Sequence, residues 1–206
     1  LYQHICSEKF RANISTANFS YETLKLREPF DDEVLVKITS SGLCGCDLHH
    51  MHAKDQTYPI VMGHEGTCVF EKVYNSVSQY KVADHVIIAT NTAKSVKHVN
   101  QTKSCICEHC FDYWLCNQFD RETHLTTKEG KQVKSFSCHT TFADHALVRT
   151  STLVRVNANV DLRHVCFLWC CPITRAGGVM NFFNAKENQT TCSCALCVVV
   201  INFAVY

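Results

Sequence analysis

Residues 33–49 read EVLVKITSSGLCGCDLH, so that a strand pattern runs directly into a candidate metal ligand. The first six of these residues are rich in aliphatic side chains and alternate as in a half-buried strand. Similar patterns occur at residues 66–73, 85–89 and 146–156. Together these segments predict a twisted, antiparallel, barrel-like domain, so we expect the first half of the chain to be mainly β.

The second half of the chain shows a different pattern. Between residues 162 and 184 apolar side chains recur at a helical period, and residues 198–201, VVVI, are typical of a buried parallel strand. We therefore expect two domains, a β-rich one over residues 1–156 and the beginning of an α/β one over residues 157–206.

Composition and charge limit the classes of partner. Of the 206 residues, 46% are hydrophobic and 19% are charged, which is typical of a packed globular protein. The formal net charge of +1 gives no electrostatic reason to expect binding to nucleic acid or to an anionic membrane. The apolar segment 192–206 is shorter than the ~20 residues that a helix needs to span a bilayer. We expect a small-molecule ligand instead.

The 15 cysteines indicate a reducing compartment. Several of them, such as Cys166, Cys192 and Cys197, lie at apolar positions rather than at the spacings of a compact disulfide framework. The N-terminal residues lack a basic region followed by an apolar run, so we predict no signal peptide and a cytoplasmic location. The first residue is Leu1 rather than Met, which favours a fragment or an incomplete gene model.

Three short motifs contain candidate zinc ligands. Cys44 lies in SGLCGCDLH, His64 in MGHEG and Cys170 in FLWCC. Two thiolates and one imidazole leave the fourth position of a tetrahedral zinc ion open for water or an alcohol, as in a catalytic site. This donor set predicts a catalytic zinc centre.

In this order the three motifs resemble those of the zinc-dependent medium-chain alcohol dehydrogenases, and the resemblance extends from Phe19 to the C-terminus. Residues 19–22, FSYE, and 31–38, DDEVLVKI, are most similar to the aryl-alcohol and glutathione-dependent formaldehyde dehydrogenase branches. The resemblance implies a mainly β GroES-like catalytic domain followed by the start of an α/β Rossmann-like domain. It also implies an oxidoreductase that interconverts a primary alcohol and its aldehyde with a nicotinamide cofactor.

The same resemblance assigns roles to the residues around the metal. Cys44, His64 and Cys170 are implied as zinc ligands, and Glu65 is implied as an alternative ligand beside them. Asp47 resembles the carboxylate that orients the ligand histidine, which fixes the tautomer of the ring and raises its basicity.

A proton relay is the next implied feature. In the family a Ser or Thr hydroxyl passes the proton of the alcohol onward, and here that position is Cys46. A thiol is a weak hydrogen-bond donor and acceptor, so we expect a slower relay or one that water replaces. His49 has the spacing of the family's terminal relay histidine and is the candidate proton acceptor. His50 and His52 have no such context, and we expect them to be solvated.

A second, structural zinc site has two interpretations. The family's C-x2-C-x2-C-x7-C spacing, placed without gaps between the flanking motifs, puts its four ligands at Ala93, Val96, Val99 and Cys107. The first three of these residues are apolar and cannot bind zinc. In that register we expect the structural zinc to be absent. The alternative is a rearranged zinc site in which His109 is a further metal ligand beside four thiolates, those of Cys105, Cys107, Cys110 and Cys116.

The cofactor motif departs most from the family. A dinucleotide-binding turn needs glycines so that a helix N-terminus approaches the pyrophosphate. Gly177 and Gly178 are the last glycines in the chain, and residues 191–203, where the family carries that turn, contain none. NAD is expected from the family but its binding motif is missing, so a catalytically silent zinc-binding module or an inactive fragment is the alternative. In the family, subunit pairing and the choice between NAD and NADP belong to the nucleotide domain, so the sequence predicts neither.

Overall fold

The computed structural model describes residues 10–15, 19–52, 59–71, 77, 79–89 and 123–182. The strands are β1 (Phe10–Ser15), β2 (Phe19–Leu26), β3 (Glu33–Gly42), β4 (Ile60–Val61), β5 (Glu65–Phe70), β6 (His85–Ile88), β7 (Leu125–Thr126), β8 (Gln132–Ser135), β9 (His145–Arg149) and β10 (Leu153–Arg155). The α-helices are α1 (Gly45–His52) and α2 (Cys171–Gly177). Within the described residues, no helix has both the length and the apolar character needed to cross a membrane.

Five strands form an antiparallel sheet in the order β10-β6-β5-β3-β9. One face of this sheet buries aliphatic and aromatic side chains from all five strands, among them Val36, Phe70 and Ile88. The ring of Phe70 stacks on that of Tyr80, with 4.9 Å between the ring centroids. These strands fall in the segments whose alternation predicted them, so the prediction of antiparallel β structure is confirmed.

The other five strands close into a small barrel in the order β1-β2-β7-β8-β4. Neighbouring strands in it are antiparallel except β4 and β8, which pair in parallel. Their shared buried cluster consists of Leu24, Val61, Leu125 and Val133. The mainly β fold class is therefore confirmed, although the sequence patterns did not single out these short strands.

Residues 146–156 do not form one strand, contrary to the prediction. A 3-10 turn at Thr150–Thr152 divides them into β9 and β10. The reason is topological, because β9 pairs with β3 whereas β10 pairs with β6 at the opposite edge of the sheet.

The helical segment predicted over residues 162–184 is also interrupted. A 3-10 turn at Leu162–His164 comes first, and α2 and a π-helical turn at Gly178–Phe182 follow later. Pro172 lies in the first turn of α2, where a missing N–H group costs little, so the helix begins there. The strand predicted at residues 198–201 lies outside the described residues, and the domain boundary near residue 157 stays a prediction.

The register between β3 and β5 changes by one residue. Ile38 lies opposite Cys68, whereas Ser40 lies opposite Thr67, so β3 carries one extra residue between the two pairs. Such a β-bulge re-aims the side chains that follow it. The bulge therefore determines which residues of β3 face the beginning of β5.

A buried ion pair lies at the beginning of β3. Arg27 donates hydrogen bonds of 2.7 and 2.9 Å to the two carboxylate oxygens of Glu33, whose side chain is fully buried. His124 lies beside this pair and is itself buried. Burial, and next the positive charge of Arg27, lowers the pKa of His124 to about 4. His124 is therefore neutral in the folded protein at neutral pH.

Acid is expected to destabilise the fold through His124. The pKa of this ring is about 6.5 in the unfolded chain and about 4 in the folded protein, so between these values only the unfolded chain takes up a proton. Its contribution to stability is complete above pH 6.5 and is lost as the pH falls toward 4. Linkage gives a decrease in unfolding free energy of about 2 kcal/mol between pH 7 and pH 5 from this one group. Urea unfolding at the two pH values measures it.

Two variants isolate this contribution. His124→Leu should reduce the loss of stability between pH 7 and pH 5, because the titrating ring is gone. His164→Leu removes an exposed histidine and should leave the loss unchanged. The assignment to His124 is wrong if its variant and the wild type lose the same amount.

Candidate metal centre

The three sequence motifs meet at one place in the fold. Cys44 precedes α1, His64 precedes β5, and Cys170 precedes α2, while Glu65 is the first residue of β5. One ligand atom from each of these four residues lies within 4.8 Å of all the others. Cys170 is half-buried and the other three residues are buried. The structure thus gathers two thiols, an imidazole and a carboxylate that are far apart along the chain.

The two cysteines of this group are separate thiols. Their Sγ atoms are 3.7 Å apart, well beyond the roughly 2.05 Å of a disulfide bond. Zinc–thiolate bonds of about 2.3 Å in a tetrahedral site place two sulfur atoms about 3.8 Å apart. The observed spacing therefore fits two thiolates on one zinc ion.

Cys44 caps the N-terminus of α1. Its Sγ atom accepts a hydrogen bond of 3.5 Å from the backbone N–H of Cys46, and its own N–H donates to Oδ2 of Asp47 at 3.0 Å. This reciprocal pattern is that of a capping box. Hydrogen bonds with Cys170 and His64 lower the pKa of Cys44 to about 3. These bonds favour the thiolate form of Cys44, and the hydrogen bond with Cys44 raises the pKa of the Cys170 thiol.

Hydrogen bonds of Asp47 connect the motif that contains Cys44 with the motif that contains His64. Its carboxylate is fully buried, accepts the backbone N–H of Gly63 at 3.1 Å and lies 3.3 Å from Nδ1 of His64. Burial by itself lowers the pKa of His64, but the hydrogen bonds with Asp47 and Cys44 outweigh it and raise that pKa to about 10. Since Nδ1 bonds to Asp47, Nε2 is the ring atom that a metal would use.

Glu65 supplies a carboxylate oxygen with no donor. The residue is 2% exposed, and its Oε1 atom accepts no hydrogen bond from the residues that the structure describes. Burial raises the pKa of this carboxyl to about 7. A buried carboxylate oxygen without a donor costs free energy unless a proton or a cation neutralises the charge. With two sulfur atoms and an imidazole beside it, this oxygen fits a zinc ion.

Gly42 makes room for that carboxylate. It lies opposite Glu65 across the β3–β5 pair, and a Cβ atom at position 42 would collide with Oε2 of Glu65. Gly66 is equally confined, because a Cβ atom there would lie 2.5 Å from Cγ2 of Thr141. No sequence motif indicated the role of Gly42, since it depends on which residue lies across the strand pair.

The residues of the predicted proton relay lie on α1. Cys46 is half-buried and His49 is exposed, and their spacing of three places them on one face of the helix. Burial, and next the negative charge of Cys44, raises the pKa of Cys46 to about 12. Cys46 is therefore a protonated thiol at neutral pH.

His50 is packed rather than solvated, which corrects the expectation from the sequence. Its ring centroid lies 4.6 Å from that of Phe136, and burial lowers its pKa. The ring of Phe136 also meets His64 edge-on at 5.4 Å. Motif spacing missed Phe136, because only the folded chain brings it to these histidines. The side chain of His52 lies outside what the structure describes.

Several predicted features lie outside the described residues. One is the segment 191–203, in which the dinucleotide-binding glycines are missing. The others are the two alternatives for a structural zinc site: Ala93, Val96, Val99 and Cys107, or Cys105, Cys107, His109, Cys110 and Cys116.

Comparison with known families and proteins gives a consistent result. The family described as alcohol dehydrogenase GroES-like domain matches residues 30–158. The chain is 28% identical over 177 residues to alcohol dehydrogenase class-3 of Drosophila melanogaster, covering 82% of this chain and 45% of the relative. It is 29% identical over 180 residues to alcohol dehydrogenase 2 of Oryza sativa subsp. japonica, and this match covers 83% of this chain and 46% of the relative. The chain thus spans about half the length of the curated relatives it matches.

Solved structures share the fold. The alcohol dehydrogenase zinc-binding domain protein from Burkholderia ambifaria has a TM-score of 0.80 and 27% identity, over 88% of this chain and 50% of that one. Benzyl alcohol dehydrogenase from Acinetobacter calcoaceticus has a TM-score of 0.73 and 28% identity over the same shares of the two chains. The match thus covers most of this chain, including its mainly β domain, and about half of the length of each of these larger proteins.

Gly42→Ala is expected to displace the Glu65 side chain. The new Cβ atom would lie 3.2 Å from Cβ and 3.3 Å from Cδ of Glu65, besides colliding with Oε2, so the whole side chain must shift. Overpacking of this kind costs about 1–3 kcal/mol. Urea unfolding of the metal-free protein measures the cost.

Gly45→Ala is the matched control, because a Cβ atom there meets no atom within 4 Å. In a Glu65→Ala background the Gly42→Ala change should cost less, since the colliding carboxylate is absent. An equal cost in both backgrounds would contradict the contact between positions 42 and 65.

Proposed function

This chain belongs to the alcohol dehydrogenase GroES-like domain family, and on that premise we propose that it holds one catalytic-type zinc ion in an oxidoreductase acting on a primary alcohol or its aldehyde with a nicotinamide cofactor. The observation that carries the proposal is the convergence of four donor atoms within 4.8 Å. In this proposal residues 1–156 are the GroES-like catalytic domain and residues 157–206 begin the nucleotide-binding domain. The free thiol state of the described cysteines supports a reducing, cytoplasmic location.

Cys44, His64 and Cys170 would hold the zinc ion, with Glu65 as an alternative ligand. When bound there, zinc supplies a Lewis acid that polarises the oxygen of the alcohol or aldehyde. Asp47 fixes the ring of His64 through Nδ1, at 3.3 Å, and so orients the opposite nitrogen.

Oxidation of an alcohol releases a proton, and α1 provides the route by which this chain would move it. Cys46 lies at the inner end of that route and His49 at its exposed end. A thiol is a weaker hydrogen-bond donor and acceptor than the Ser or Thr hydroxyl of the family, so Cys46 is a poor relay group. Transfer from the buried site to His49 is therefore the slow part of the proposed mechanism.

A catalytically silent zinc-binding module is the second candidate function. Two observations favour it: the thiol at position 46, where the family has a hydroxyl, and the lack of glycine in residues 191–203. Both leave the four metal donors in place while weakening proton transfer and dinucleotide binding. Both candidate functions include zinc binding, whereas only the dehydrogenase would oxidise an alcohol with NAD.

Zinc content is the first test. Elemental analysis of the purified wild-type chain is expected to give about one zinc per chain. Cys44→Ser and Cys170→Ser should each abolish it, because a catalytic site has three protein ligands and loses most of its affinity with one of them. Cys171→Ser, next to a ligand but outside the four-donor group, should retain the metal. Zinc that survives both ligand changes would contradict the site.

Turnover with NAD is the second test, with benzyl alcohol as the probe because a benzyl alcohol dehydrogenase is among the similar structures. Cys46→Ser restores a hydroxyl to the relay and is expected to raise kcat about tenfold or more, since positioned acid–base groups contribute 10²–10⁴-fold. The zinc content should stay the same. Adding His49→Gln should reverse the gain. If both zinc-loaded proteins are inactive, the dehydrogenase proposal fails and the silent module remains.

A further inference from the structure

Cys170 reaches Cys44 on a segment that is anchored to the sheet at Leu162. The carbonyl oxygen of Leu162 lies within hydrogen-bond distance of two hydroxyl oxygens, that of Ser40 at 2.9 Å and that of Thr67 at 3.0 Å. The two hydroxyl oxygens also lie 2.7 Å from each other. Leu162 and Thr67 are buried, so this three-atom contact is shielded from water.

The two hydroxyls act as a pair. Each hydroxyl has one O–H donor, so only two protons are available for the three contacts among Ser40, Thr67 and the Leu162 carbonyl. If Ser40 donates to Thr67, then Thr67 donates to Leu162, and the reverse also holds. Either hydroxyl alone can therefore keep the Leu162 carbonyl bonded to the sheet, and loss of both leaves this carbonyl only the longer bond, 3.4 Å, from the backbone N–H of Val165.

The anchor is connected to Cys170 through successive turns. The backbone N–H of Val165 donates to the Leu162 carbonyl at 3.4 Å, and that of Leu168 donates to the Val165 carbonyl at 3.1 Å. Phe167 then accepts the N–H of Cys170 at 3.2 Å. Cys166, within these turns, is buried, and its thiol donates to the Arg163 carbonyl at 3.8 Å. A shift of Leu162 is thus passed on to Cys170.

The bulge in β3 creates this anchor. It brings Ser40 directly opposite Thr67, so that the two hydroxyls face the same carbonyl. With regular pairing beyond Ile38, Thr39 would lie opposite Thr67 and Ser40 opposite Gly66. The pair of hydroxyls exists only in the register that the bulge sets.

We propose that Ser40 and Thr67 are positioning residues for the metal centre, which hold the Leu162 carbonyl and thereby place the Cys170 thiolate on the metal. This inference rests on the proposed function, because it needs a metal bound by Cys44 and Cys170. Neither residue belongs to the four-donor group. Their effect on the metal is exerted through the backbone from Leu162 to Cys170.

The test uses the whole chain with zinc and with cobalt(II) as probes. Ser40→Ala combined with Thr67→Val should weaken zinc binding about 10–100-fold, the range found when groups that orient ligands are removed. Each single variant should lose less than about tenfold, because one hydroxyl remains. In the cobalt-loaded double variant, the thiolate-to-cobalt charge-transfer absorption should fall toward the intensity of one thiolate. Cys170→Ser supplies that reference spectrum.

Two controls separate positioning from general stability. Thr152→Val removes a buried hydroxyl that donates to the Arg149 carbonyl at 2.7 Å, a matched bond at the edge of the sheet, and should lower stability without changing the cobalt spectrum. Thr67→Ser keeps the hydroxyl and, combined with Ser40→Ala, should restore zinc affinity to that of Ser40→Ala alone.

The outcomes distinguish the two proposals. A wild-type chain that binds neither zinc nor cobalt overturns the proposed function and this inference with it. A wild type that binds cobalt with two thiolates, together with a double variant of unchanged spectrum and affinity, overturns only the positioning role. Reduced thiolate absorption in the double variant, with a normal spectrum in Thr152→Val, supports it.

Discussion

The register of β3 against β5 is the constraint on which the metal centre depends. Beyond the bulge, Gly42 lies opposite Glu65 and Ser40 lies opposite Thr67. A slip of one residue would turn the side chains of β3 to the opposite face of the sheet. It would also place Ser41, which has a Cβ atom, where Gly42 leaves space for the Glu65 carboxylate. One extra residue in a strand thus sets the position of a donor and that of the hydroxyl pair.

Several ionisable side chains are buried close together in the candidate metal centre, so the charge of each one affects the others. The Cys44 thiolate and the Asp47 carboxylate are compensated by one cationic side chain, His64, and by backbone N–H groups. Glu65 and Cys170, placed beside them in a buried site, both have raised pKa values and retain their protons more strongly. A divalent cation neutralises such a group, and its binding is coupled to proton release. A hydrogen bond between the Cys44 and Cys170 sulfur atoms, 3.7 Å apart, holds them at the spacing that such a cation needs.

Sequence reasoning works here where the information is local. Strand patterns marked four segments that contain the five strands of the sheet, and short motifs marked the four residues whose donor atoms converge. It missed α1, because Gly45, Cys46 and the following histidines carry little helix propensity and the helix is stabilised by its cap and by packing of Met51. It also missed Phe136 and the Leu162 anchor. Their partners come from distant parts of the chain, and no spacing rule encodes a contact made after folding.

The structure also explains how this chain can depart from its family at position 46 and keep its metal donors. At that position the cap of α1 uses the backbone N–H group, which donates to Cys44, and does not depend on the side chain. A thiol in place of a hydroxyl therefore leaves the cap and the Asp47 bonds unchanged. The donors are held by buried groups, whereas the relay residues Cys46 and His49 are half-buried and exposed. The four proposed metal donors and the two proposed relay residues thus belong to separate parts of the site, so the proposed relay can be lost while the donors stay in place.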